Sequence, residues 1–139
     1  MPDPQRSEVH QSTILVVDDE AMILFSVTII LQTQGYTVLS ATDGQEALEL
    51  SRKYPGEIHL LITDVDMPRL SGMDLCTSLL RERPGIKAIV MSGSDMSEIV
   101  NQNNLPFLPK PFDREALLRR VREMLETTVG SPTRSHSQL

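Results

Sequence analysis

The sequence predicts a single α/β domain built on a doubly wound sheet of five parallel strands. Short apolar runs without polar alternation recur along the chain, as expected of strands buried on both faces, and helical segments separate them. The length of 139 residues, with 40% hydrophobic and 23% charged residues, is ordinary for one domain that buries a core. We therefore expect one sheet, helices on both of its sides and no second folded domain.

The first unit of strand and helix begins after a polar N-terminal segment, residues 1–12, which we expect to be flexible. Residues 14–17 are mostly β-branched and predict the first strand. The helix predicted over 20–34 has ordinary helical length and ends at Gly35, a residue type that favours helix C-termini. Residues 36–40 then predict the second strand.

The second helix and the third unit are marked by capping and breaking residues. Asp43 can cap a helix over 45–53, and Pro55 ends that helix. Residues 59–63 predict the third strand. A helix over 73–82 follows the third strand after a loop, so the alternation of strand and helix continues.

The last two units are less regular. Residues 87–91 predict the fourth strand, and a helix over 95–104 has so few apolar turns that we expect it to be short or partly melted. Residues 105–108 predict a short fifth strand, and the prolines around it favour the edge of the sheet. Asp113 caps the last of five helices. Apolar residues recur at helical spacing along this last helix: Leu117, Leu118, Val121, Met124 and Leu125.

These elements fit a flavodoxin-like sheet with the strand order 2-1-3-4-5. Crossovers between parallel strands must be right-handed, which leaves few topologies at this size. We expect the domain to span residues 13–127, because residues 128–139 are polar and predict a disordered C-terminal tail. In this order the switch point of the sheet, where ligands bind, lies between strands 1 and 3.

Composition excludes several classes of function. The net charge of -6 disfavours nucleic acid as a direct partner. The single cysteine, Cys76, cannot form an internal disulfide, and no Cys/His spacing resembles a zinc site. The longest apolar stretch, near residues 21–31, is about half of the ~20 residues that a membrane span needs, and the N-terminus has no signal-peptide core. We therefore predict a cytoplasmic protein that does not bind the membrane.

Polar residues follow four of the predicted strands. Asp18 and Asp19 follow strand 1, Asp64 follows strand 3, Ser92 follows strand 4 and Lys110 comes shortly after strand 5. Because the carboxyl ends of parallel strands meet at one edge, three carboxylates, a hydroxyl and an ammonium are expected in one place.

Such a cluster predicts a metal and a phosphoryl group. Neighbouring carboxylates repel each other and stay ionised only beside a cation, and Lys110 supplies a single charge. A hard divalent ion with oxygen ligands, typically Mg²⁺, meets the remaining need, often together with a phosphate oxygen. A carboxylate can itself attack in such chemistry and form an aspartyl phosphate.

The motifs VVDD, TDVDMP, MSGS and LPKPF together resemble the receiver domain of two-component response regulators, over roughly residues 13–127. The resemblance implies that Asp64 accepts the phosphoryl group and that Asp19 and Asp64 bind Mg²⁺ directly. By the same resemblance Asp18 acts mainly through water, and the backbone carbonyl of Asp66 completes the protein ligands.

The resemblance also implies a switch and a set of partners. Ser92 is similar to the hydroxyl that bonds the phosphoryl group, Lys110 to the ion-pair lysine and Phe107 to the aromatic switch residue. The phosphoryl donor would be a sensor histidine kinase or a histidine phosphotransfer protein, and the output an unknown protein target. Only self-phosphorylation and self-dephosphorylation are expected, by a monomer or a weak phosphorylation-dependent homodimer.

Two departures from the receiver pattern are visible. Asp66 adds a carboxylate beside the acceptor, where many receivers have a neutral side chain, and we hypothesise an effect on metal affinity and hydrolysis. The 17 residues 93–109 must hold a helix, a loop and a strand. This short stretch is the reason to expect a short fourth helix, and it puts the usual receiver dimer in doubt.

Two other functions remain open. Asp64-Val65-Asp66 resembles the Asp-x-Asp start of haloacid-dehalogenase-type phosphatases, although Met67 and Pro68 depart from that motif. A phosphorylation-independent protein-binding module on the same fold is the second alternative. The sequence has no glycine-rich phosphate loop or dinucleotide fingerprint that would favour a nucleotide enzyme.

Overall fold

The computed structural model describes residues 12–67, 69–93 and 105–137, with backbone only beyond residue 126. These ranges contain five strands and four helices. The strands are β1 (Thr13–Val17), β2 (Thr37–Ala41), β3 (Leu60–Asp64), β4 (Lys87–Ser92) and β5 (Phe107–Pro109). The helices are α1 (Ala21–Thr33), α2 (Gly44–Lys53), α3 (Gly72–Glu82) and α4 (Arg114–Ser137).

All five strands pair in parallel in one sheet, in the order β2-β1-β3-β4-β5. This order confirms the flavodoxin-like topology. Strands β1 to β4 begin and end within one residue of the predicted bounds. Strand β5 lies at the edge of the sheet, as its prolines predict.

The sheet is buried on both faces, so it separates two cores. Ile14 and Ile62 belong to the core that α1 and α4 cover, while Leu15 and Leu61 belong to the core under α2 and α3. Successive strand residues alternate between the two faces. Every residue of β1 and β3 is buried because helices cover both faces.

Side-chain caps fix where three helices begin. Asp43 Oδ1 accepts from the Glu46 amide at 2.8 Å at the start of α2. Ser71 caps α3 in the same way, and Asp113 caps α4. Each cap satisfies an amide that the first helical turn leaves unpaired.

The structure differs from the sequence prediction at the C-terminal end. Helix α4 continues to Ser137, whereas the sequence predicts that a disordered tail begins at residue 128. Apolar spacing marks the core-facing turns of this helix up to Leu125 and gives no signal for the turns beyond them.

One predicted helix and the question of a membrane span remain. The short fourth helix predicted over residues 95–104 lies outside the described residues. Over the described ranges, no helix combines the length and the apolar character that crossing a bilayer requires.

Candidate functional site

Three carboxylates converge where β1 and β3 end. One carboxylate oxygen each from Asp18, Asp19 and Asp64 lies within 4.8 Å of the others. Asp18 is fully buried, Asp64 is 6% exposed and Asp19 is exposed. Of these three residues, only Asp19 is open to solvent.

The register of the sheet brings these residues together. Val17 of β1 lies opposite Thr63 of β3, so the residues that follow them, Asp18 and Asp64, come out side by side at the carboxyl edge. The Asp18 amide donates to the Ala41 carbonyl at 3.2 Å, which extends the pairing of β1 with β2. The expected meeting of these carboxylates at the switch point is confirmed.

Lys110 brings the ammonium into the cluster. Its Nζ lies 2.9 Å from Asp18 Oδ2, 3.5 Å from Asp64 Oδ1 and 3.2 Å from Glu20 Oε1. The Lys110 amide donates to the Ser92 carbonyl at 2.8 Å, so the backbone of β4 holds the lysine in place. The Lys110–Pro111 peptide bond is cis.

The loop after β3 is fixed at its base. The Val65 amide donates to the Met91 carbonyl, and the Gly72 amide donates to the Val65 carbonyl, both at 3.0 Å. A Cβ atom on Gly72 would collide with the Asp64 carbonyl oxygen and would lie 2.9 Å from the Asp64 carbonyl carbon. Helix α3 can therefore approach the end of β3 only because residue 72 is glycine.

The remaining predicted site residues lie around this cluster. Ser92 is buried at the end of β4, one position past Met91, the strand partner of Asp64. Asp66 is exposed in the loop after β3. Phe107 stands at the start of β5, half-buried against the core under α2 and α3.

Burial and the neighbouring charges determine the titration of the two central groups. The pKa of Asp64 is raised to about 6, chiefly by burial. The charge of Asp18 adds to this rise, and the charge of Lys110 opposes it. Burial alone would lower the pKa of Lys110, but the carboxylates of Asp18, Asp64 and Glu20 outweigh it and the pKa is raised. Lys110 is therefore a fixed positive charge.

The donor set fits a hard divalent cation. Asp18 Oδ2 is buried, and Lys110 Nζ, 2.9 Å away, is the cation that faces it among the described residues. One ammonium faces several carboxylates, so the cluster holds excess negative charge. Oxygen ligands with excess negative charge are what Mg²⁺ selects.

Two residues of the site were not anticipated from the sequence. Glu20 adds another carboxylate to Lys110, and its amide donates to Asp18 Oδ1 at 2.8 Å. The signal for it is the acidic run Asp18-Asp19-Glu20. Gly72 has no comparable signal, because its role depends on a close approach between two elements.

A known protein family matches most of this chain. The family model of the response regulator receiver domain matches residues 14–122. The chain belongs to the response regulator receiver family.

Curated relatives of this receiver domain include a sensor kinase and response regulators. The chain is 40% identical over 121 residues to the sensor kinase CckA of Brucella abortus (strain 2308), covering 83% of this chain and 13% of the kinase. It is 38% identical over 120 residues to the response regulator MprA of Mycobacterium leprae (strain TN), covering 83% of this chain and 51% of MprA. The receiver domain thus spans a small part of the kinase and about half of MprA.

Solved structures give the same result. The receiver domain from the hybrid histidine kinase CckA matches with a TM-score of 0.66 at 35% identity, covering 82% of this chain and 99% of that one. A CheY-like receiver domain protein from Methanospirillum hungatei JF-1 matches with a TM-score of 0.76 at 28% identity, covering 87% and 98%.

Proposed function

We propose that this receiver domain accepts a phosphoryl group on Asp64 from the phosphohistidine of a sensor histidine kinase or a histidine phosphotransfer protein. The observation that carries the proposal is the arrangement of Asp18, Asp19 and Asp64 within 4.8 Å of one another, with Lys110 Nζ reaching two of them. Membership of the receiver family supports the same function.

In the proposed reaction an oxygen of Asp64 forms a bond to phosphorus while the bond from phosphorus to the donor imidazole breaks. The leaving imidazole takes up a proton from solvent. Asp64 must be ionised to attack, and a pKa of about 6 leaves it largely ionised at neutral pH. Lys110 places a positive charge beside the phosphoryl oxygens. Mg²⁺ held by Asp18, Asp19, Asp64 and the Asp66 carbonyl would supply further charge neutralisation.

Phosphorylation would then switch the surface next to β4 and β5. The phosphoryl group adds about -1.5 to -2 charge and new acceptor oxygens. Ser92 and Lys110 are the groups that would bond them, and the backbone hydrogen bond between these two residues links β4 to β5. The phosphoryl group would shift the populations of two arrangements of this surface, by as much as it interacts more favourably with one than with the other. Phe107 would contribute by packing differently in the two arrangements.

A protein donor is supported by an exposed apolar face on α1. Met22, Phe25 and Ile29 share this face at helical spacing and are 81%, 68% and 42% exposed. The cavity beside α1 has a volume of about 540 Å³ and extends to Lys110 and Gly93. Exposed apolar surface of this kind marks interaction sites, and Met22 of this face lines the cavity that reaches Lys110.

The phosphorylation chemistry can be tested without the cognate donor. Incubation with acetyl phosphate and Mg²⁺, followed by intact mass, is expected to add about 80 Da, one phosphoryl group, to the wild type. Asp64→Ala should show no adduct. Asp74→Asn, which changes an exposed carboxylate of α3, is the matched control and should be labelled like the wild type.

The outcome also separates the alternatives. An adduct on Asp64→Ala would place the acceptor elsewhere, and no adduct on any variant would favour a phosphorylation-independent binding module. With a protein donor, Phe25→Ser should slow transfer to Asp64 and leave labelling by acetyl phosphate unchanged. Equal slowing with both donors would argue against α1 as the surface that the donor contacts.

A further inference from the structure

Arg69 has an unusual backbone conformation and a partner on another element. Its φ is 69°, in the left-handed region that glycine adopts most easily. Its Nη2 lies 2.6 Å from Asp43 Oδ2. The Asp43 side chain is 16% exposed and the Arg69 side chain 70%. An arginine in this conformation needs a compensating interaction, and the ion pair with Asp43 is such an interaction.

The residue after Arg69 contacts the same place. A Cβ atom on Gly44, the first residue of α2, would lie 2.9 Å from both the Cβ and the carbonyl oxygen of Leu70. The loop between β3 and α3 is therefore held against the N-terminus of α2 at two adjacent points. Asp43 is itself fixed there, since its Oδ1 caps the Glu46 amide at 2.8 Å.

This contact joins the two loops that flank the carboxylate cluster. One loop leaves β3 at Asp64 and carries Asp66. The other leaves β2 at Ala41, whose carbonyl accepts from the Asp18 amide at 3.2 Å. Asp43 lies two residues after Ala41, so the Asp43–Arg69 ion pair closes a path of short contacts around the site.

We propose that Arg69 is a positioning residue for the metal and phosphoryl site: its ion pair with Asp43 holds the loop after Asp64 in the arrangement that binds the cation. The inference rests on the proposed function, because Asp66 in that loop is the expected carbonyl ligand. Arg69 contacts neither the phosphoryl group nor the metal in this role. It acts through the loop alone.

The chain offers a matched control for this ion pair. Arg52 Nη2 and Glu82 Oε2 lie 2.7 Å apart and are 53% and 33% exposed. This pair joins the last turns of α2 and α3, at the opposite end of both helices from Asp43 and Arg69. Arg52→Gln therefore removes an exposed ion pair of the same kind without touching the loop.

The test compares Asp43→Asn, Arg69→Gln and the double variant with the wild type and Arg52→Gln. Asparagine keeps the cap on α2, so Asp43→Asn removes chiefly the charge. Exposed ion pairs contribute little, so we expect Mg²⁺ affinity in calorimetry to fall about twofold to fivefold in each single variant. The double variant should be no weaker than either single one. High salt should reduce the differences, because it screens the pair.

Hydrogen exchange of the metal-free protein gives a readout independent of phosphorylation. Amides of the loop between β3 and α3 should exchange faster in the two single variants than in Arg52→Gln. Unchanged exchange and Mg²⁺ affinity would overturn the proposal, as would an equal loss in Arg52→Gln or additive losses in the double variant. If the wild type binds Mg²⁺ but acetyl phosphate leaves it unlabelled, the proposed function fails while the role of Arg69 is still decided.

Discussion

At the scale of single residues, the site depends on carboxylates that are costly to bury. Asp18 is fully buried and Asp64 nearly so, yet among the residues that the structure describes only Lys110 brings a positive charge to both. An ionised carboxylate in such a place is unfavourable unless a cation accompanies it. Burying these carboxylates therefore lowers the free energy of unfolding of the metal-free domain. A cation bound between them would offset this loss.

We predict that Asp64→Asn stabilises the metal-free domain at neutral pH. Burial raises the pKa of Asp64 from 3.8 to about 6 in the folded state. Below pH 3.8 the Asp64 carboxyl is protonated in both the folded and the unfolded state. Its contribution to stability is lost as the pH rises from 3.8 through about 6. Asparagine does not titrate, so above about pH 6 the free energy of unfolding of the variant should exceed that of the wild type by on the order of 1 to 3 kcal/mol.

Urea unfolding of both proteins from pH 3.5 to 8, without divalent metal, measures this difference. It should be near zero at the acidic end and reach its full value above about pH 6. Asp74→Asn, at an exposed carboxylate, should show no such dependence. A difference that stays constant over the whole range would contradict a titration of Asp64 as its cause.

The positions of the candidate site residues were predictable from the sequence when they followed from strand ends. Asp18, Asp64, Ser92 and Lys110 each come at or just beyond a strand end, so the topology alone predicts that they approach one another. The pairing of Arg69 with Asp43 is different, because it joins two loops that are 26 positions apart in the chain. Only the packing of the loops decides it, and no sequence period reports that packing.

At the scale of elements, the predicted bounds of β1 to β4 and of α1 to α3 agree with the structure to within one residue. Strands buried on both faces are bounded by the polar residues that follow them, as Asp18 and Asp64 do, so their limits are sharp. The end of α4 has no such boundary. Its apolar pattern stops at Leu125, but the helix continues to Ser137, and apolar spacing cannot detect this extension.

The close approach of α3 to β3 yields a prediction for stability. Gly72→Ala should lower the free energy of unfolding by about 1 to 3 kcal/mol or more, because its Cβ would collide with the Asp64 carbonyl oxygen. Backbone atoms cannot move aside as a flexible side chain can. Thermal or urea unfolding of the metal-free protein measures the loss.

Gly85→Ala is the control for this substitution. A Cβ on Gly85 would meet no atom within 4 Å, so alanine there should leave stability unchanged or raise it slightly. Equal effects of the two substitutions would show that the loss comes from glycine replacement in general and not from contact with Asp64. The acetyl phosphate reaction of Gly72→Ala should also slow, since the same carbonyl belongs to the acceptor residue.

At the scale of the whole molecule, the carboxylate cluster joins segments that are far apart in the chain. Asp18 and Asp19 follow β1, Asp64 ends β3, and Lys110 follows β5 at the edge of the sheet. The cluster exists only when these strands are paired in register. A ligand of the cluster therefore binds the folded state and has no equivalent site in the unfolded chain.

We predict, for that reason, that Mg²⁺ raises the stability of the entire domain. A ligand that binds only the folded state adds about 2.7 kcal/mol at 100 times its dissociation constant. The melting temperature should rise steadily with Mg²⁺ at constant ionic strength. In Asp19→Asn, which removes an exposed carboxylate of the cluster, the rise should be much smaller. The same rise in both proteins, or in wild type with KCl alone, would mean that Mg²⁺ acts by screening the net charge of -6.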